Sequence, residues 1–187
     1  MKILILALFC FHLHASSWHD LELGLGQFYE LPYQTSNSES QIFQLSPVIL
    51  SKIAYNLNDS WELNPLFSWV IYQEHENSSS NQNIFIPQLN ATYKYNQELH
   101  FTIGTSVVIY STSGDATEEE LPNGTGETTY FSPSERRNSY QQNLNLGFNY
   151  QFDQYTFNFD SYSYKLFNSE LREVSLLFSF TKIFEIN

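Results

Sequence analysis

The sequence predicts an all-β chain in which eight antiparallel strands close up-and-down into a transmembrane β-barrel. Three observations carry that expectation: an export signal at the N-terminus, strict apolar/polar alternation in eight successive stretches, and connections that alternate between tight and generous.

Composition narrows the field first. Only 15% of the 187 residues are charged, while 13 Tyr, 16 Phe and 3 Trp make the chain strongly aromatic, which disfavours coiled coils and polar disorder and favours strands. Eight Lys and Arg against 20 Asp and Glu give a net charge of −12. A phosphate backbone is repelled by such a chain, so nucleic acid is excluded as a partner.

Lys2 precedes nine apolar residues, Ile3 to Phe11, and then His12-Leu13-His14-Ala15 leads into two serines. This is the layout of a secretory signal peptide, with cleavage expected after Ala15, and the run is too short for a membrane-spanning helix. Residues 1–15 are therefore read as the signal and 16–187 as one barrel domain. The single cysteine, Cys10, falls inside the signal, which leaves no disulfide or thiolate chemistry for the exported chain.

Alternation with period two is clearest in residues 140–152. There Tyr140, Leu144, Leu146, Phe148, Tyr150 and Phe152 share one face, and Gln141, Asn143, Asn145, Gly147, Asn149 and Gln151 the other. In 60–74 the apolar set is Trp61, Leu63, Pro65, Phe67, Trp69 and Ile71, with Leu66 and Val70 intruding on the polar side. Residues 83–95 set Phe85, Pro87, Leu89, Ala91, Tyr93 and Tyr95 against Gln88, Asn90, Thr92 and Lys94. Residues 98–112 continue the pattern as the second half of a hairpin.

The other four strands are expected at about 20–33, 41–55, 154–166 and 171–184. In the first, alternation falters at Gln27-Phe28, which predicts a bulge near Gly24 and Gly26. Asn56–Asp59, Asn96–Gln97 and Asp153–Gln154 read as tight turns; residues 34–40, 75–82 and 113–138 read as longer polar loops. Tight turns at one end, long loops at the other and an even strand number are the habit of outer-membrane barrels.

With Leu21-Glu22-Leu23-Gly24-Leu25-Gly26 opening the first strand and Val174-Ser175-Leu176-Leu177-Phe178-Ser179-Phe180 in the last, the chain resembles the small eight-stranded outer-membrane proteins of the OmpX, OmpW and OmpA-barrel type. The resemblance is one of pattern and spans the exported length. It implies a monomer in a Gram-negative outer membrane, contact with lipid and lipopolysaccharide, and insertion by the barrel-assembly machinery through a terminal aromatic, here Phe184 or Phe180.

A soluble lipocalin-like barrel is the structural alternative, with the two faces exchanged. Aromatics near expected strand ends, such as Trp61, Tyr93, Tyr110, Tyr140 and Tyr155, speak for interfacial girdles instead. Pro47, Pro65 and Pro87 fall mid-strand on the apolar face, where each removes a ladder donor and predicts a bulge or broken pairing.

An eight-stranded barrel is filled by its own side chains, so the polar face should form a hydrogen-bonded plug. Its charged members are expected to be Glu22, Lys52, Glu62, Lys94, His100, Asp160 and Glu173, neutralising one another. A narrow solute path through them is the alternative reading. Arg136, Arg137, Lys165 and Arg172 fall near the long-loop end, at the expected level of lipopolysaccharide phosphates.

No catalytic site, metal site or cofactor is expected. A lipid A-modifying enzyme needs His and Ser at the outer rim, but none of His19, His75 and His100 lies in a His-X-Ser motif. No metal-ligand spacing or phosphate-cradling glycine loop occurs. The loop 113–138, with Asp115, Glu118, Glu119, Glu120, Glu127 and Glu135, is expected to be a solvated surface element able to meet another cell, a phage or a host molecule.

Overall fold

The computed structural model describes residues 18–31, 46–71, 81–114, 118–122, 127–131, 134–166 and 173–185. The expected signal peptide, His75, Arg172 and most of the longer connections lie outside them. Ten strands are described: β1 (Trp18–Leu31), β2 (Ser46–Asn58), β3 (Trp61–Ile71), β4 (Asn81–Lys94), β5 (Leu99–Ser113), β6 (Glu118–Pro122), β7 (Glu127–Phe131), β8 (Arg137–Phe152), β9 (Tyr155–Tyr164) and β10 (Glu173–Glu185).

Eight of these close into one antiparallel barrel in the order β1-β10-β9-β8-β5-β4-β3-β2. The closing seam is continuous from Asp20↔Glu185 to Leu31↔Val174. The remaining two, β6 and β7, pair with each other as a separate hairpin inside the β5–β8 connection, with Glu118 opposite Phe131 and Pro122 opposite Glu127. That connection was expected to be a solvated surface loop; the local strand pairing within it is a correction.

The tight turns follow from their side chains. The Asn58 Oδ1 accepts the backbone N–H groups of Ser60 and Trp61 at 2.9 and 3.0 Å. The Asn96 Oδ1 does the same for Glu98 and Leu99 at 2.9 and 2.6 Å. Each asparagine thus supplies the acceptor that the reversing backbone needs. In the third turn Asp153 adopts φ of 54°, a left-handed conformation that Asp tolerates better than most residues.

The wall is inside out relative to a water-soluble protein. Leu25 is 68% exposed, Leu146 51% and Ile103 49%, while Asn64, Ser68, Asn145, Thr92 and Thr181 are each at 1% or less. A soluble carrier requires the opposite arrangement, so the lipocalin-like alternative is set aside. Rings continue this apolar surface around the barrel. Phe159 packs on Phe178 at 4.9 Å, Tyr155 on Phe180 at 5.3 Å, and Trp61 on Tyr93 at 5.1 Å between centroids.

The bulge expected at Gly24 and Gly26 is not there. Pairing of β1 with β10 and β2 runs straight through both glycines, and the register shift lies between Trp18 and Asp20. Alternation falters at Phe28 for another reason: Phe28 is buried in the lumen at 1% exposure.

The prolines leave gaps without bulges. Between β2 and β3, pairing stops after Lys52↔Leu66 and resumes in the same register at Tyr55↔Leu63, which leaves Pro65 opposite an unpaired Ile53. Between β4 and β5 it stops after Phe85↔Ile109 and resumes at Gln88↔Ser106, around Pro87. Across the β3–β4 seam both prolines are in register, Pro65 with Leu89 and Pro87 with Phe67. The missing N–H falls on the outer side of each strand.

Candidate functional site

The lumen is where inward-facing chemistry converges, and it has two unlike halves. At the tight-turn end the Lys52 Nζ lies 2.6 Å from the Glu22 Oε1, both buried. The Thr181 hydroxyl donates to the other Glu22 oxygen at 2.7 Å. The Lys94 Nζ sits 2.5 Å from the Glu62 Oε1 and donates to the Asn56 Oδ1 at 2.8 Å. Burial of charge is tolerated here because each ion has an opposite partner and at least one further hydrogen bond shares the load.

His100 is buried beside this second pair. It lines a vestibule of about 410 Å³ at the barrel mouth together with Asp59, Lys94, Asn96, Gln97 and Gln151. Asp160 is buried deeper, next to Gly147. A Cβ at Gly147 would fall 2.4 Å from the Asp160 Oδ1, so glycine is what makes room for that carboxyl group.

Glu173 stands apart from these groups. It is exposed at the opposite end, where it accepts a hydrogen bond from the Gln141 side chain. Its parity is inward, but it is the first residue of β10, at the rim, and not within the filled lumen.

Above the ions runs a bonded set of amides and hydroxyls. The Ser106 Oγ donates to the Asn145 Oδ1 at 2.8 Å, and the Asn145 Nδ2 reaches the Asn90 Oδ1 at 3.2 Å. The Asn90 Nδ2 donates to the Gln88 Oε1 at 3.3 Å, and the Gln88 Nε2 donates to the Tyr162 hydroxyl at 2.8 Å. Nearer the turns, Asn149 donates to Thr102, whose hydroxyl shares a proton with that of Thr92. A carboxamide carries both donors and acceptors, so it can satisfy neighbours from several strands in a narrow space.

The half of the lumen toward the long loops is hydrocarbon. Phe28, Val48, Leu50, Val70, Ile84, Ile86, Val108, Tyr162 and Leu177 form one buried cluster, with Tyr110 packed against it. The Phe28 and Tyr162 rings lie 6.1 Å apart. Parity reasoning alone gave a polar plug throughout and took Leu66 and Val70 as blemishes; both are lumenal. The signal was present in the unbroken apolar triplets Val48-Ile49-Leu50, Ile84-Phe85-Ile86 and Val107-Val108-Ile109, which mark strands that are apolar on both faces.

At the outer rim Arg136, Arg137 and Lys165 are exposed. The Lys165 Nζ lies 4.9 Å over the Tyr164 ring. They do not form one cluster. β8 continues from Gln142 back to Arg137 beyond its last pair with β9, Asn143↔Tyr164, and stays paired with β5 up to Thr112↔Arg137. The two arginines therefore stand roughly 20 Å further along the wall than Lys165, at about 3.4 Å per residue. β5, which stays paired with β4 up to Asn81↔Ser113, and β8 are connected through the β6–β7 hairpin.

Among the described residues no group of three or more acidic, His or Cys side chains could hold a metal ion. Among the described residues the pieces of a hydrolytic triad are not brought together at the outer rim either: the described histidine with a placed side chain, His100, is at the other end, and His75 lies outside the described residues.

No protein-family model and no curated protein matches the sequence. Solved structures do match in shape. Ail, the attachment invasion locus protein of Yersinia pestis, aligns over 90% of this chain and 99% of its own at 10% identity and a TM-score of 0.50. In its complex with the heparin analogue sucrose octasulfate, Ail aligns over the same shares at 8% identity and 0.52. Neisserial surface protein A aligns over 89% of this chain and 97% of its own, at 12% identity and 0.49. The fold is that of the small eight-stranded outer-membrane barrels.

Proposed function

We propose that the protein is a monomeric, non-enzymatic outer-membrane barrel that does not conduct solutes and acts through its outward-projecting surface. The tight-turn end faces the periplasm and the long-loop end faces out. The observation that carries this reading is the hydrocarbon cluster from Phe28 to Leu177 in the outer half of the lumen, above a polar half that meets the vestibule. Water and ions lose most of their hydrogen-bonding partners on crossing such a layer.

The projecting element is the β5–β8 extension with the β6–β7 hairpin, whose sequence carries Glu118, Glu119, Glu120 and Glu127. A polyanion like the heparin analogue bound by Ail is a poor electrostatic match for these glutamates, so the surface partner is expected to be neutral or basic. Lys165 is the described group best placed for lipopolysaccharide phosphates, with Arg136 and Arg137 further out; Arg172, outside the described residues, is the other candidate from the sequence. Phe180 and Phe184, exposed on the last strand, are the expected contacts for the barrel-assembly machinery.

The test is reconstitution of the folded protein into planar bilayers. The expected result is no unitary conductance in the wild type and its appearance when Phe28 and Leu177 are both replaced by Ala. Conductance in the wild type overturns the reading. Loss of a lipid A acyl chain that depends on the gene, read by mass spectrometry, overturns the non-enzymatic part.

A further inference from the structure

Three features of the wall meet on one hairpin. The β3–β4 seam is registered without interruption from Trp61↔Tyr93 to Ile71↔Asn83. Both of its outer seams are broken at a proline that lacks the N–H needed to bridge to the neighbouring strand: β2–β3 at Pro65 and β4–β5 at Pro87. Pro47 bounds the first of these seams again, since pairing of β2 with β3 begins only after it, at Val48↔Val70. By contrast, the β5–β8 seam runs unbroken from Leu99↔Tyr150 to Thr112↔Arg137.

Inward, three of the four described buried side-chain polar atoms without a partner lie on this hairpin, and the fourth, the Thr156 Oγ1, lies on β9. Both polar atoms of the Asn64 side chain and the Ser68 Oγ are buried without a hydrogen-bond partner. Each such group is destabilising relative to one that is satisfied. Both residues lie on β3, Asn64 directly beside Pro65 and Ser68 three positions further along. Strand elements with interrupted ladders and unsatisfied buried groups occupy the low end of a protein's local stability.

We propose that β3 and β4 form a semi-independent panel of the barrel wall, one that parts from β2 and β5 together at the Pro65 and Pro87 breaks while its own hairpin pairing holds. Opening lets Asn64 and Ser68 reach water and links the polar vestibule to the flank of the barrel. The seams from β5 through β8, β9 and β10 to β1 remain closed and act as the frame.

Backbone hydrogen exchange of the full chain in detergent micelles, read by mass spectrometry, tests this. In the wild type, exchange is expected to be faster at Ile53–Ala54 and at Val107–Val108 than along β8 and β9. Pro65→Val restores one donor in the β2–β3 seam, and panel motion requires that exchange then slows at both seams, on the order of tenfold for one restored hydrogen bond. Slowing at β2–β3 alone overturns the proposal, because it makes the two breaks independent local defects. Even exchange around the wild-type barrel overturns it as well. Should Pro65→Val fail to insert, Pro87→Val is the reciprocal variant, with the β2–β3 seam as the distant readout.

Discussion

The Gln88 side chain on β4 donates a 2.8 Å hydrogen bond across the lumen to the Tyr162 hydroxyl on β9, joining the amide network to the hydrocarbon cluster. Tyr162 belongs to both halves: its ring packs beside Phe28 and its hydroxyl faces the polar side. Tyr162→Phe keeps the ring and removes the acceptor, which leaves a buried Gln88 N–H unsatisfied. A loss of about 1–3 kcal/mol is expected, measured as a lower urea midpoint in a gel-mobility unfolding assay. Combining it with Gln88→Leu should recover part of that loss, since neither polar partner then remains.

The Glu22–Lys52 pair makes a sharper distinction between single and double changes. Both ions are buried and 2.6 Å apart, and Glu22 is held further by Thr181. Lys52→Met leaves a buried carboxylate without its counter-ion and should cost about 3–5 kcal/mol. Glu22→Gln together with Lys52→Met removes both charges and should lie much nearer the wild type. A double-mutant cycle in the same unfolding assay gives the coupling energy.

Closure of the barrel depends on the absence of a side chain at Gly24. A Cβ there would fall 2.3 Å from the Phe180 carbonyl oxygen and 2.5 Å from the Thr181 Cγ2, across the β1–β10 seam. Because the nearer atom is backbone, relief requires movement of the strand itself. Gly24→Ala is expected to cost about 3 kcal/mol and to shift the population from the compact, heat-modifiable band to the unfolded one.

The exterior was legible in the sequence because hydrocarbon makes one demand everywhere along a strand. Tyr140, Leu144, Leu146, Phe148, Tyr150 and Phe152 were placed outward by parity alone, and all are exposed. The lumen makes two demands. Asn143, Asn145 and Asn149 answer one, while Val48, Ile84 and Val108 answer the other, so a rule that equated inward with polar could not find the apolar half. Phe28 shows the cost of that rule: a lumenal anchor was read as a fault in alternation.

Pairing between strands distant in sequence was beyond reach of parity for another reason. The lysine partners Glu22 and Glu62 are fixed by register across the β1–β2 and β3–β4 seams, whereas the side-chain-capped turns at Asn58 and Asn96 join β2 to β3 and β4 to β5. Lys94 meets Glu62 because Trp61↔Tyr93 and Glu62↔Thr92 place the two residues on adjacent strands near the same turn end. The β6–β7 pairing escaped because Gly, Pro and Ser between acidic residues read as loop, and only local register revealed a hairpin there.

Depth in the bilayer provides a last test that separates membrane insertion from mere exposure. Leu146 is 51% exposed near the middle of the wall, opposite Ile103 and Ser161. Tyr140 is 66% exposed on the part of β8 that runs past β9. An arginine at the bilayer midplane costs about 2–4 kcal/mol on a barrel's lipid face, and near the interface about 0–1 kcal/mol. Leu146→Arg should therefore lower stability in lipid vesicles by the larger amount and Tyr140→Arg by the smaller. In a protein whose exterior met water, both arginines would be tolerated alike, so equal midpoints for the two variants would contradict the membrane-spanning orientation of β8.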